Sequence, residues 1–221
     1  ILLLSADFFI PMRQLGSFFH VAMNGMAASD KIFRLLDLKD APEGTVTQLE
    51  PDAEITIRGL NFSYNDERDN RIVLSGIDMT FPSGKFTAIV GASGCGKSTI
   101  ASILTGRNKG YDGSVKIGND ELNTIQEAAL MRHLTYVSHQ AHLFKGTVRD
   151  NLRMGRADAT DELLWDVLNR VNLAEFLRTE KGLDTALNER GSNLSGGQLQ
   201  RIAFARGLIK QPKVFLLDEV S

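Results

Sequence analysis

The chain has 221 residues, 43% of them hydrophobic and 24% charged. That is an ordinary globular composition, enough for one sizeable domain plus an appendage. A formal net charge of -2 excludes a bulk basic field, so no nucleic-acid partner is expected and any anion must be held by local geometry. Cys95 is the one cysteine, which rules out an intrachain disulfide.

Residues 1–10 are apolar except for Ser5 and Asp7, far short of the ~20 residues that cross a bilayer. Pro11 and Arg13 interrupt this run, and no basic leader precedes it, so it does not read as a signal peptide. From residue 15 to 38, Leu15, Phe18, Phe19, Ala22, Met23, Met26, Ala27, Ile32, Leu35 and Leu36 recur at helical spacing. Such a helix either packs on its own domain or is the cytoplasmic end of a membrane helix; the second reading is preferred for residues 1–38. Residues 39–52 carry Pro42, Gly44, Pro51 and several acids without periodicity, a linker pattern.

From Ala53 onward the pattern turns to strands. Ile55, Ile57 and Leu60 alternate with polar residues, and 86–90 is a short apolar run that predicts a buried strand. Val115 with Ile117, and Leu134 with Tyr136 and Val137, predict two more. Residues 160–171 predict a helix with Thr160 as cap, Asp161 and Glu162 in its first turn, and Leu163, Leu164, Val167, Leu168 and Val171 on one face. Residues 199–209 predict another helix, and 214–217 a last buried strand. Strands separated by helices point to an α/β domain with a largely parallel core.

The run 86–90 leads into Gly91, Ala92, Ser93, Gly94, Cys95, Gly96, Lys97, Ser98 and Thr99, which satisfies G-x-x-x-x-G-K-[ST] in a strand–loop–helix setting. Glycines let backbone N–H groups approach phosphate oxygens, and the helix that follows turns its positive end on the same anion. Lys97 then reaches the β- and γ-phosphates, and Ser98 ligates Mg²⁺. The nucleotide is expected to be ATP. ATP is also expected to shield Cys95, inside this loop, from alkylation.

The strand 214–217 delivers Asp218 and Glu219. An acid at the end of an apolar strand is the Walker B arrangement, with Asp218 on Mg²⁺. Glu219 directly after it is placed to polarise a water in line with the γ-phosphate. Leu194, Ser195, Gly196, Gly197 and Gln198 open the 199–209 helix: Ser195 caps, and the glycines expose N–H groups as a second anion-binding start.

In this order the three motifs strongly resemble the ATP-binding-cassette (ABC) ATPases, with Leu194 to Gln198 matching their signature sequence. The resemblance covers about 53–221 and implies a P-loop NTPase fold with an ABC-type nucleotide-binding domain, including a helical subdomain at about 141–210, truncated at the C-terminus. It implies a head-to-tail dimer, each nucleotide lying between one phosphate loop and Ser195, Gly196, Gly197 and Gln198 of a second cassette. Three further positions follow from it. Tyr64 matches the aromatic that stacks on adenine, Gln140 the Q-loop glutamine that senses Mg²⁺ and the attacking water, and Asn188, Glu189, Arg190 and Gly191 the X-loop of exporters. His20, His133, His139 and His142 all precede the signature, whereas the family's switch histidine follows Walker B. They are too scattered for a zinc site.

The N-terminal helix and linker resemble a fused exporter, working with transmembrane domains at the plasma (inner) membrane with the cassette on the cytoplasmic side. The stretch 7–20 also resembles the cysteine/glutathione exporters of cytochrome bd assembly, which implies a heterodimer of half-transporters and a small transported solute. The alternative is a soluble ABC-type ATP switch without transport. The chain starts at Ile1 and stops at Ser221, so the D-loop and switch histidine are expected beyond it, and the fragment alone is expected to hydrolyse ATP weakly or not at all.

Overall fold

Two compact units divide the chain, residues 1–42 and 43–221. The structure is a computed structural model, and its described backbone comprises residues 2–37, 43–66, 69–138 and 141–218. Among the described residues the first unit holds one helix, α1 (Leu2–Leu36), 35 residues long. Pro11 lies inside it; the pyrrolidine removes one N–H donor, and the neighbouring turns carry the helix past the gap. Leu15, Phe18, Phe19, Met26, Leu35 and Leu36 are all well exposed within this unit. Among the described residues no helix is long and apolar enough to cross a membrane.

The second unit begins on a docked segment. Val46 forms a parallel bridge with Ile125, donating to the Thr124 carbonyl and accepting from the Gln126 N–H. Strands β1 (Ile55–Asp66) and β2 (Asp69–Phe81) then pair antiparallel, from Ile55 opposite Phe81 to Asp66 opposite Asp69. Ile55 and Ile57 alternate with polar neighbours, a register shift follows before Leu60, and all three are buried. Helix α2 (Lys97–Leu104) comes next, followed by β3 (Asp112–Ile117), which adds to the other edge of β1, and β4 (Asp120–Glu121), which closes the order β2-β1-β3-β4. Helix α3 (Glu127–His133) leads straight into β5 (Leu134–Val137). Ile100, Ile103 and Leu104 of α2 share the resulting core with Val115, Ile117, Leu130 and Leu134. Each fully buried side chain of this size contributes about 1.5–3 kcal/mol relative to exposure.

The remainder builds a second core. A short β6 (Gly146–Thr147) is followed by α4 (Val148–Arg153), α5 (Asp161–Arg170), α6 (Ala174–Thr179), β7 (Ala186–Leu187), α7 (Gly196–Ile209) and β8 (Val214–Leu217). Leu152, Leu164, Leu168, Leu177, Ile202 and Ile209 meet in its centre. Thr160 caps α5 by accepting from the Leu163 N–H, as its position before two acids predicts. Asn151 is wholly buried and replaces a missing ladder: it accepts from the Phe144 N–H and donates to the carbonyls of Phe144 and Thr147. Arg149 joins this core's rim by ion pairs to Asp161 and Asp184.

Two expectations need correction. The core is not largely parallel. The largest sheet is antiparallel, and among the described residues the parallel pairing of named strands is confined to β5 with β8, in register from Leu134–Val214 to Val137–Leu217. Strands that pair back on each other in sequence, as β1 does with β2, form antiparallel ladders without needing a helical crossover. The run 86–90 is also not a buried strand here: it carries no strand assignment, and Phe86 and Val90 are 90% and 89% exposed. Only Ile89 packs against the first core. An apolar run reports that a face favours burial, but a ladder also requires a neighbour, and no named strand of the described residues pairs with this one.

Candidate nucleotide-binding site

Gly96 closes the phosphate loop in the left-handed region, at φ 97°, and is the residue before α2. A Cβ there would lie 2.6 Å from Leu74 Cδ2 of β2, so both backbone conformation and packing require glycine. Gly94 is also left-handed, at φ 80°, but faces open space. The two together fold the loop over the start of α2, whose first-turn N–H groups lack intrahelical acceptors. Lys97 folds back across the loop and donates from Nζ to the carbonyls of Gly91 and Ala92, each at 2.9 Å. Its ammonium thus lies over the cradle that the glycines leave open. Cys95 is exposed, with its Sγ 3.9 Å from Lys97 Nζ. ATP should therefore slow its alkylation; equal labelling rates with and without saturating ATP, read by mass spectrometry, would place the nucleotide elsewhere.

Tyr64, in β1, projects towards α2. Its hydroxyl is 3.5 Å from Thr99 Oγ1 and accepts from Asn108 Nδ2 at 2.9 Å. Phe62 packs edge-on against its ring at 5.0 Å between centroids, and Tyr64 is still 45% exposed. The hydroxyl is thus anchored beside the phosphate-loop helix while part of the ring stays accessible.

Asp218 stands one residue beyond β8. Its N–H donates to the Val137 carbonyl at 3.0 Å, which continues the β5–β8 ladder by one step. Its Oδ2 accepts from the Tyr136 hydroxyl at 2.8 Å. Burial first, and then this bond to the carboxylate, push the Tyr136 hydroxyl up to about 12, so it stays protonated as a donor. The Arg107 guanidinium lies over the same ring, 5.3 Å from its centroid. Neither Tyr136 as a partner of Asp218 nor Arg107 was foreseen from the sequence. The available signal was register, since Tyr136 stands opposite Leu216, two residues before Asp218 and therefore on the same sheet face.

The start of α7 is capped as its sequence predicts. Ser195 Oγ accepts from the Gln198 N–H at 3.3 Å, and Gln198 Oε1 accepts from the Ser195 N–H at 2.9 Å, a complete capping box. Ser195, Gly196 and Gly197 are exposed, and a Cβ on either glycine would meet nothing within 4 Å. Arg206 of α7 donates to the His142 carbonyl at 3.0 Å, tying the segment after residue 140 to this helix. Asn188, Glu189 and Arg190 are exposed on the turn before α7. Gln140 and Glu219 lie outside the described residues.

The donor set suits the ions the motifs imply. A serine hydroxyl and an aspartate carboxylate are hard oxygen ligands of the kind Mg²⁺ takes, and Tyr136 engages one Asp218 oxygen while leaving Oδ1 to a metal. Loop, helix start and lysine together suit a polyphosphate. Among the described residues no cluster of three or more His, Cys, Asp or Glu side chains forms a separate metal site.

A glycine loop closing on a helix start, with an acid just beyond the apolar strand β8, is the arrangement of a P-loop NTPase. Residues 74–221 match the family model described as ABC transporter, and the chain belongs to that family. It is an ABC-type ATPase domain related to exporter-type ABC ATP-binding proteins. It is 43% identical over its whole length to an uncharacterised ABC transporter ATP-binding protein of Haemophilus influenzae, covering 39% of that protein. It is 33% identical, over 96% of its length and 36% of the relative, to an ATP-dependent lipid A-core flippase of Saccharophagus degradans. A solved bacterial Atm1-family ABC exporter with ATP bound superposes on 97% of the chain at a TM-score of 0.80 and 30% identity, the match covering 38% of that exporter. The chain thus spans less than two fifths of these relatives.

Proposed function

We propose that this chain is the nucleotide-binding part of an exporter-type half-transporter that couples hydrolysis of MgATP to movement of a solute across a membrane. The observation that carries this reading is the pairing, on one chain, of a lysine-covered phosphate loop with a solvent-facing signature start on α7. The capping box takes the Ser195 and Gln198 N–H groups, while the two glycines between them face open space and let an anion approach the helix start. The second cassette of a head-to-tail dimer would bring a γ-phosphate to it.

In this reading Lys97 and the N–H groups from Gly91 to Thr99 hold the phosphates, Tyr64 stacks on the base, and Ser98, Asp218 and Gln140 serve Mg²⁺. Glu219 polarises the attacking water, and Ser195, Gly196, Gly197 and Gln198 close on the partner's nucleotide. Helix α1 is the cytoplasmic end of the last membrane helix, 39–52 the linker, and 53–221 the cassette with its helical subdomain at about 141–210. The complex sits in the inner membrane with the cassette in the cytoplasm. The exposed apolar side chains of α1 support that assignment, as does the exporter similarity. The likeness of 7–20 to cysteine/glutathione exporters supports a heterodimer and a small thiol-bearing solute.

Cys95 supplies the test. In a Ser195→Cys chain, with copper phenanthroline as the oxidant, ATP should promote a disulfide between the new thiol and Cys95 of a second copy, or a cysteine placed at the matching loop position of a partner half-transporter, seen as a dimer on a non-reducing gel. A second copy of this chain as the cross-linked partner means a homodimer, and a different half-transporter means a heterodimer. ATP binding without any ATP-dependent cross-link would count against head-to-tail closure.

A further inference from the structure

Asp218 is held by more than its own strand. Its backbone is fixed by the N–H bond to Val137, and its carboxylate by the phenol of Tyr136 at 2.8 Å. Tyr136 is itself pinned by Arg107, whose guanidinium lies 5.3 Å from the ring centroid. Arg107 follows the end of α2 by three residues, and its N–H returns to the Ser102 carbonyl of that helix. A continuous line of contacts therefore runs from the helix that begins with Lys97 and Ser98, through Arg107 and Tyr136, to Asp218.

A carboxylate on a strand end rotates freely about two bonds, and a metal bound to it must first immobilise it. A phenol that donates to one oxygen selects a single orientation and leaves the other oxygen to the metal. Loss of a group that orients a metal ligand from behind typically costs about 10–100-fold in metal affinity.

We propose that Tyr136, braced by Arg107, is a positioning residue that orients Asp218 for the Mg²⁺ of the bound nucleotide. This rests on the proposed MgATP-binding role of the site. Tyr136 touches neither nucleotide nor reacting atoms in this scheme. It lowers the cost of placing Oδ1, and through Arg107 it links that placement to the helix carrying Ser98.

The test is a binding measurement on the full chain. Mn²⁺ affinity in the presence of a non-hydrolysable ATP analogue is read by electron paramagnetic resonance. Affinity for the analogue in EDTA is measured beside it with a fluorescent competitor. Tyr136→Phe keeps the ring and should weaken Mn²⁺ binding by about tenfold, with metal-free nucleotide affinity and melting temperature unchanged. Arg107→Gln should shift Mn²⁺ affinity in the same direction by less, and serves if the phenylalanine variant folds poorly. In an Asp218→Asn background, Tyr136→Phe should add nothing. Unchanged Mn²⁺ affinity in Tyr136→Phe overturns the proposal, and so does an equal loss of metal-bound and metal-free nucleotide, which marks a purely structural role. A wild-type chain whose nucleotide affinity ignores divalent metal would instead overturn the MgATP reading itself, and this inference with it.

Discussion

Lys97→Ala is expected to lower the affinity for MgATP by about a hundredfold, the equivalent of roughly 2.7 kcal/mol. The loop explains the size. Nζ spans the carbonyls of Gly91 and Ala92 at 2.9 Å each. Without the ammonium, those two dipoles would face an incoming phosphate with their negative ends and nothing between. One unit-charge pair at about 4 Å is worth ~4 kcal/mol at an effective dielectric of 20, and part of that is offset by the desolvation of both ions. The substitution removes no buried packing, because Lys97 is only partly buried at the first turn of α2. The fold should therefore survive. A fluorescent-nucleotide titration with circular dichroism as the folding control checks this, and wild-type affinity in a folded variant would remove Lys97 from the site.

Glu219→Gln should separate binding from turnover. In a full-length transporter carrying this cassette, phosphate release should fall by about 10²–10⁴-fold, the range a positioned general base contributes. ATP affinity should hold, because Gln keeps the size and removes only the charge and basicity. Asp218 is fixed to the ladder by the Val137 carbonyl, and the proposed base is the next residue in the sequence. Steady-state hydrolysis beside equilibrium nucleotide binding decides the matter; wild-type turnover would exclude Glu219 as the base. His139→Ala beside Gln140→Ala, in the same assays, would show which of these neighbours supports turnover.

Much of the candidate site's local geometry was legible because phosphate chemistry would limit the residues that serve it. Glycines where the backbone turns left-handed, one lysine, and a hydroxyl at a helix start leave a local pattern. Gly96 illustrates this, since its φ of 97° strains any residue with a side chain and an added Cβ would crowd Leu74. The capping box at Ser195 and Gln198 was legible for the same reason, its two partners being three residues apart. What could not be read is non-local. The Asp218–Tyr136 bond joins residues 82 apart in the chain, and Asn108 reaches Tyr64 across 44. No periodicity encodes such pairs. The error at 86–90 has the same origin: hydrophobicity was read correctly, but burial depends on which strand lies alongside.

The sequence by itself determined the phosphate loop, the signature start, the acidic strand end and the helical face of α5, because each is built from neighbours within one or two turns of chain. Tertiary structure alone decided the antiparallel order β2-β1-β3-β4, the exposure of Phe86 and Val90, and the hydrogen-bond partner of Asp218. Those outcomes depend on which surfaces meet when distant segments pack, and that is settled by the free energy of the whole fold rather than by any local run of residues.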